Sequence, residues 1–149
     1  MAIRIANAVW EGNLKNGKGT LNSGSGALKG SYTFLSRFGE DNGTNPEELI
    51  GAAHAGCFSM ALSAMLDEKG FTPKRVATTA RVDLGRDDMG FKITLIELVS
   101  EADVPGIDEH LFLEIAETAK KGCPISRALA ATEIKLNAKL LNAHPIIPD

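Results

Sequence analysis

Two cysteines, Cys57 and Cys123, are the side chains best suited to chemistry in this chain, and 66 positions separate them. In an oxidising compartment such a pair would usually form one static bridge. In a reducing cytosol a bridge is more often transient and chemical. The spacing matches no zinc-finger pattern. Cys57 falls mid-way along a predicted helix, where a cysteine on the apolar face is ordinarily a core residue. Cys123 falls between Gly122 and Pro124, at the start of another helix, where backbone amides stabilise a thiolate. A cap with no redox role is its other reading. A free thiol ionises with a pKa of about 8.5, and apolar burial raises it, so Cys57 needs a cation beside it to react at neutral pH. Arg37 and Arg127 are candidates, although either could equally be a solvated surface residue. His54 lies one turn before Cys57 and admits a cysteine hydrolase or a metal site with Cys57 and Cys123. Without an evident fourth ligand or orienting carboxylate, a packing or hydrogen-bonding histidine is expected.

The elements that must hold these residues follow from periodicity and punctuation. Asn45 is a good helix cap, Pro46 suits the first helical position, and Glu48 completes a start resembling a capping box. Gly70, with Pro73 beyond it, marks the stop. Leu49, Ala53, Cys57, Met60 and Ala64 share one face of this helix, and its small residues invite close approach of another backbone. Before it, Ala8–Leu14 and Gly19–Asn22 flank Asn16-Gly17, a hairpin signal, and Leu28–Ser36 reads as another strand. After it, Val76, Thr78, Ala80, Val82 and Leu84 alternate, as do Phe91, Ile93 and Leu95, with Gly85–Gly90 between them as a loop. A second helix runs from its cap Asp108 to Lys121 with Gly122 as its stop. Cys123-Pro124 opens a short third helix. Ile134, Leu136, Ala138 and Leu140 form a last strand, and the tail from His144 is expected to be loosely held. Gly17-Lys18-Gly19-Thr20 lacks the spacing of a phosphate loop.

This pattern gives an α+β class. A length of 149 residues suits a single domain over 1–149 that buries a real core. Hydrophobic content of 44% and charged content of 23% are ordinary for a soluble protein. A net charge of -3 gives no field that would argue for nucleic acid or an anionic membrane. The N-terminal residues lack the apolar run of a signal peptide, and no stretch reads as long and apolar enough to span a membrane, so a cytoplasmic location is expected.

The stretch from Asn45 to Leu62, which contains Ala52-Ala53-His54-Ala55-Gly56-Cys57-Phe58-Ser59-Met60, resembles the signature helix of the OsmC family. That family comprises osmotically inducible peroxidases related to the organic hydroperoxide resistance (Ohr) proteins. Val104-Pro105-Gly106-Ile107-Asp108 and Lys121-Gly122-Cys123-Pro124-Ile125-Ser126 are similar as well. The resemblance covers nearly the whole chain in order. It is closer to the OsmC branch, chiefly through Ser36-Arg37-Phe38 and the wording of the long helix. It implies antiparallel β-sheets wrapped around long central helices in an intertwined homodimer, with active sites at the subunit interface and no metal or organic cofactor. It further implies that Cys57 attacks peroxide, Cys123 resolves the product, Arg37 is the active-site arginine and Glu47 its partner. The activity implied is a thiol-dependent peroxidase that acts on hydroperoxides and is restored by an external dithiol. A redox-responsive binding protein that uses the same disulfide as a switch is the alternative.

The residue types fit that chemistry. A thiolate attacks a peroxide oxygen and becomes a sulfenic acid, and a second thiol condenses with it. External dithiol then restores both by exchange. An arginine lowers the first thiol's pKa, and a carboxylate fixes the arginine by a two-point contact. Small apolar side chains around Cys57 suit organic hydroperoxides better than hydrogen peroxide, because they reward an alkyl tail. Glu47 poses a geometric problem. It precedes Cys57 by ten residues on one helix, about 15 Å along the axis at a rise of about 1.5 Å per residue. Either the helix breaks or Glu47 serves the Cys57 of a second chain, and the unbroken capping favours the second.

Overall fold

The computed structural model describes residues 1–142, so the expected loose tail from His144 lies outside the described residues. Ten elements follow in order: β1 (Ala6–Glu11), β2 (Lys18–Ser23), β3 (Lys29–Tyr32), α1 (Phe34–Phe38), α2 (Pro46–Glu68), β4 (Arg75–Asp87), β5 (Gly90–Asp103), α3 (Glu109–Gly122), α4 (Pro124–Ala128) and β6 (Glu133–Leu140). The α+β class holds. The chain divides into two compact units, Met1–Leu49 and the residues from Ile50 onward.

The first unit carries an antiparallel sheet in the order β1-β2-β3. Its first connection is longer than the expected Asn16-Gly17 turn. The chain reverses over residues 12–17, with Gly12 at φ +96°, and Gly17 N–H donates to the Asn13 carbonyl at 2.9 Å. The strand expected over Leu28–Ser36 is cut short at Tyr32. Thr33 and Ser36 form a reciprocal capping box there, with Ser36 N–H donating to Thr33 Oγ1 at 3.1 Å and Thr33 N–H to Ser36 Oγ at 2.8 Å. Two backbone donors satisfied at once start a helix where alternation suggests a strand.

In the second unit, β4 and β5 form a long antiparallel hairpin that runs on through most of the expected 85–90 loop and turns at Asp88-Met89. A bulge at Asp83/Leu84 shifts the register, which hides the pairing from a reading by alternation. β6 pairs with β5 in parallel, so the expectation of antiparallel sheets is corrected here. A parallel pair needs a long crossover, and α3 and α4 supply it. The core gathers Phe58, Leu62 and Leu66 of α2, Ile96 and Leu98 of β5, and Phe112 and Ala116 of α3, all fully buried.

α2 differs from expectation in two ways. Its core face is Gly51, His54, Phe58, Leu62 and Leu66, whereas Ala53, Met60 and Ala64 of the expected stripe are exposed, and Cys57 lies on the seam between the two faces. Gly51 permits close contact with β4, since a Cβ there would lie 3.3 Å from Val82 Cγ2. The helix is also long and apolar enough to cross a membrane by length and composition, with a mean hydropathy of 1.6. That corrects the expectation that no such stretch exists. Its apolar residues are small and spread around the axis, so no single stripe stands out.

Candidate active site

The site residues form two groups. The first, in the N-terminal unit, is Arg37 and Glu47. α1 is tied to the segment leading into α2 by Ser36 Oγ, which donates to the Thr44 carbonyl at 2.8 Å, and by Asn45 Nδ2, which donates to the Ser36 carbonyl at 3.1 Å. Asn45 caps α2 as expected, accepting from Glu48 N–H at 2.8 Å. The Glu48 carboxylate does not complete the box. It accepts from Thr44 Oγ1 at 3.0 Å instead. These contacts aim Arg37 at Glu47. Nη2 donates to Oε1 at 2.7 Å, while Nε donates to Oε1 at 3.1 Å and to Oε2 at 3.3 Å. The Glu47 side chain is only 11% exposed against 36% for Arg37, so the carboxylate is the sheltered anchor of the pair. Arg37 also lies over the Phe38 ring, 5.2 Å from its centroid. Trp10, Leu14, Tyr32, Phe34 and Phe38 line an aromatic cleft beside it.

The second group, in the C-terminal unit, is Cys57 and Cys123. Cys123 ends α3, where its N–H donates to the Ala119 carbonyl at 3.0 Å, and caps α4, where its sulfur accepts from Ser126 N–H at 3.4 Å. The helix-start reading of Cys123 therefore holds. Cys57 is half-buried against the same core, and the two thiols lie close together, each acting on the other's acidity. Their acidities are driven apart. Burial pushes the Cys57 thiol up, and neighbouring Cys123 adds to that rise against a lowering contact from the Ile125 backbone. Burial also opposes ionisation of Cys123, but the hydroxyl and amide of Ser126, the Cys57 thiol and the Ile125 backbone outweigh it and hold the thiol below its ordinary value.

His54 is fully buried, and its Nε2 lies 2.7 Å from Ser126 Oγ, so the expected hydrogen-bonding histidine is found. Burial holds its pKa below the ordinary value. Arg127 is exposed in α4. Among the described residues, no three His, Cys, Asp or Glu side chains converge as a metal set. Sequence reasoning missed Ser126 as a partner of Cys123. The available signal was its place three residues after a helix cap, where its amide points back at the cap.

Comparison with known proteins identifies the family and the fold. The family model described as OsmC-like protein matches residues 39–139. Peroxiredoxin OsmC of Escherichia coli (strain K12) is 57% identical over 134 residues, covering 89% of this chain and 93% of that protein. An organic hydroperoxide resistance protein of Xanthomonas axonopodis pv. citri is 35% identical over 88 residues, covering 58% of this chain and 60% of its own. The crystal structure of the organic hydroperoxide resistance protein OhrB of Bacillus subtilis superposes with a TM-score of 0.69 at 25% identity, covering 91% of this chain and 97% of that one.

Proposed function

The chain belongs to the OsmC family, and from that premise we propose that it is a thiol-dependent peroxidase for organic hydroperoxides, with hydrogen peroxide a weaker substrate. The observation that carries the reading is the pair of reduced thiols, Cys57 and Cys123, held within reach of each other and pushed to opposite acidities. In the first step the Cys57 thiolate attacks the peroxide. The O–O bond breaks, an S–O bond forms, and the departing alkoxide takes up the proton that the Cys57 thiol gave up, leaving as the alcohol. Cys123 then displaces hydroxide from the Cys57 sulfenic acid, giving the disulfide and, with the proton Cys123 lost, water. An external dithiol reduces the disulfide by two exchanges. We place the protein in the cytoplasm, where such reductants are maintained.

Cys57 needs a cation, and within its own unit the groups that act on it are burial, Cys123 and the Ile125 backbone. Arg37, locked by Glu47, is the cation we assign. α2 runs without a break from Pro46 to Glu68, which supports delivery of the Arg37–Glu47 pair to the Cys57 of a second chain. The uncovered apolar face of α2, with Ala53, Met60 and Ala64 exposed, supports a homodimer, since an apolar helix in a soluble protein is stable only when covered. The aromatic cleft beside Arg37 suits an alkyl or aryl substituent on the peroxide. Steady-state assays with cumene and tert-butyl hydroperoxide and with hydrogen peroxide, each with excess dithiol, provide the test. Many equivalents consumed per protein, fastest with the organic peroxides, is the expected result. One equivalent per protein would instead make the disulfide a switch.

A further inference from the structure

His54 is a buried titratable group to which the peroxidase chemistry assigns no task. Its Nε2 lies 2.7 Å from Ser126 Oγ, its Nδ1 has no hydrogen-bond partner among the described residues, and its ring is fully buried. The Ser126 backbone N–H donates to the Cys123 sulfur at 3.4 Å, and the hydroxyl of the same residue acts to hold that thiol below its ordinary pKa. Cys123 is itself fully buried. We propose that His54 and Ser126 are positioning residues for Cys123: neutral His54, protonated on Nε2, donates to Ser126 Oγ and turns the Ser126 hydroxyl onto the sulfur.

The argument is a count of protons. The Ser126 hydroxyl has one, so it donates either to His54 or to Cys123. If His54 carries its proton on Nδ1, then Nε2 accepts from Ser126. Cys123 must then keep its own proton to donate to Oγ, and Nδ1–H is left as a buried donor without a partner. If the proton sits on Nε2, the donors run in one direction from His54 to Ser126 to Cys123, and they end on a sulfur that already accepts the Ser126 amide. Only a lone pair on Nδ1 is then unpaired, and orphaned acceptors are tolerated more often than orphaned N–H groups. The second arrangement gives a dry thiolate two fixed donors. Cys57 is the titratable group that faces Cys123 from α2, and Lys120, Lys121 and Arg127 line a cleft with Ser126.

In resolution, the Cys123 thiolate forms the S–S bond as the S–O bond of the Cys57 sulfenic acid breaks. Cys123 is oxidised, Cys57 is reduced, and the departing hydroxide takes up the proton that Cys123 gave up, leaving water. This role rests on the reading of Cys123 as the resolving thiol. The first test needs no variant: imidazole ¹⁵N shifts of the reduced protein should report the Nε2–H tautomer, and an Nδ1–H tautomer would overturn the proposal. The second follows Cys123 thiolate absorbance against pH in the Cys57→Ser protein. Adding Ser126→Ala or His54→Leu should raise the Cys123 titration, while His54→Gln, which keeps a donor for Ser126, should preserve it. The third measures the lifetime of the Cys57 sulfenic acid by dimedone trapping, which both damaging changes should lengthen roughly tenfold or more, the effect of losing a hydrogen bond to a charged group. Unchanged titrations and lifetimes in folded Ser126→Ala protein would sink the positioning role. An unchanged lifetime in Cys123→Ser protein would instead sink the resolving role on which it rests.

Discussion

Replacing Arg37 with alanine removes the cation assigned to Cys57, and the size of the effect can be worked from the thiol's surroundings. A thiol with a pKa of about 8.5 is about 3% thiolate at pH 7. Burial and the neighbouring Cys123 hold Cys57 above its ordinary value, so without help its thiolate fraction is smaller still. A guanidinium placed about 4 Å from the sulfur in the proposed dimer would contribute about 4 kcal/mol at an effective dielectric constant of 20. That corresponds to a fall of about three pKa units at about 1.36 kcal/mol each, working directly against the rise that burial imposes. Arg37→Ala should therefore slow peroxide attack at pH 7 by roughly 30-fold or more. The deficit should close as pH rises through the new Cys57 pKa, because the variant then ionises without assistance. The assay is thiolate absorbance against pH in a Cys123→Ser background, paired with stopped-flow peroxide consumption and a thermal melt as a check on the fold. An unchanged Cys57 titration would remove Arg37 from the mechanism and direct attention to Arg127.

Other outcomes follow from the same arrangement. Cys57→Ser should abolish peroxide consumption, whereas Cys123→Ser should still form a dimedone-trappable sulfenic acid but turn over poorly; dimedone on Cys123 in an active Cys57→Ser protein would reverse the roles. Mixing Cys57→Ser with Glu47→Ala subunits should recover activity above either parent, since each heterodimer would hold one intact Cys57 facing one intact Glu47, and verified heterodimers without recovery would refute the shared site. Phe58→Ala, at a fully buried position, should cost about 3–5 kcal/mol in chemical denaturation, and a loss under about 1 kcal/mol would contradict its place in the core. His54 is held neutral by burial, so its contribution to stability is complete above the unfolded value of about 6.5. That contribution is lost as pH falls toward the lowered folded value, and melts of His54→Gln should show a weaker acid dependence.

Local signals with one physical cause were legible in the sequence. Asn45 caps α2 and Asp108 caps α3 because each supplies an acceptor to exposed amides, whatever the rest of the chain does. Cys123 at a helix start was legible for the same reason, as was its greater acidity. Features set by tertiary contact were not. The core face of α2 runs through Gly51 and His54, residue types that do not announce burial, so periodicity picked out the small-residue stripe through Cys57 and not the face that packs on the sheet. The parallel pairing of β6 depends on where α3 and α4 return the chain, which strand alternation does not encode. Glu47 received its role from family resemblance alone, although its contact with Arg37 is among the best-formed polar pairs of the first unit.

The opposed acidities of the two cysteines bear on how the disulfide would be reduced. An incoming thiolate needs an accessible sulfur to attack and expels the better leaving group, which is the more acidic thiol. Cys123 is fully buried while Cys57 is partly open, so access favours attack at Cys57. Cys123 is also the thiol held below its ordinary pKa, so leaving-group ability favours its departure as a thiolate. Both terms select the same sulfur for the mixed disulfide. Burial behind a helix start, with its sulfur already accepting the Ser126 amide, would therefore suit Cys123 to the resolving role proposed for it and to release from the disulfide. Cys57 has the complementary limitation. It is accessible but poorly ionised by its own unit, so its activation falls to a charge supplied from elsewhere. In the proposed dimer that charge is the Arg37–Glu47 pair of the second chain, and peroxide attack would be confined to the assembled protein.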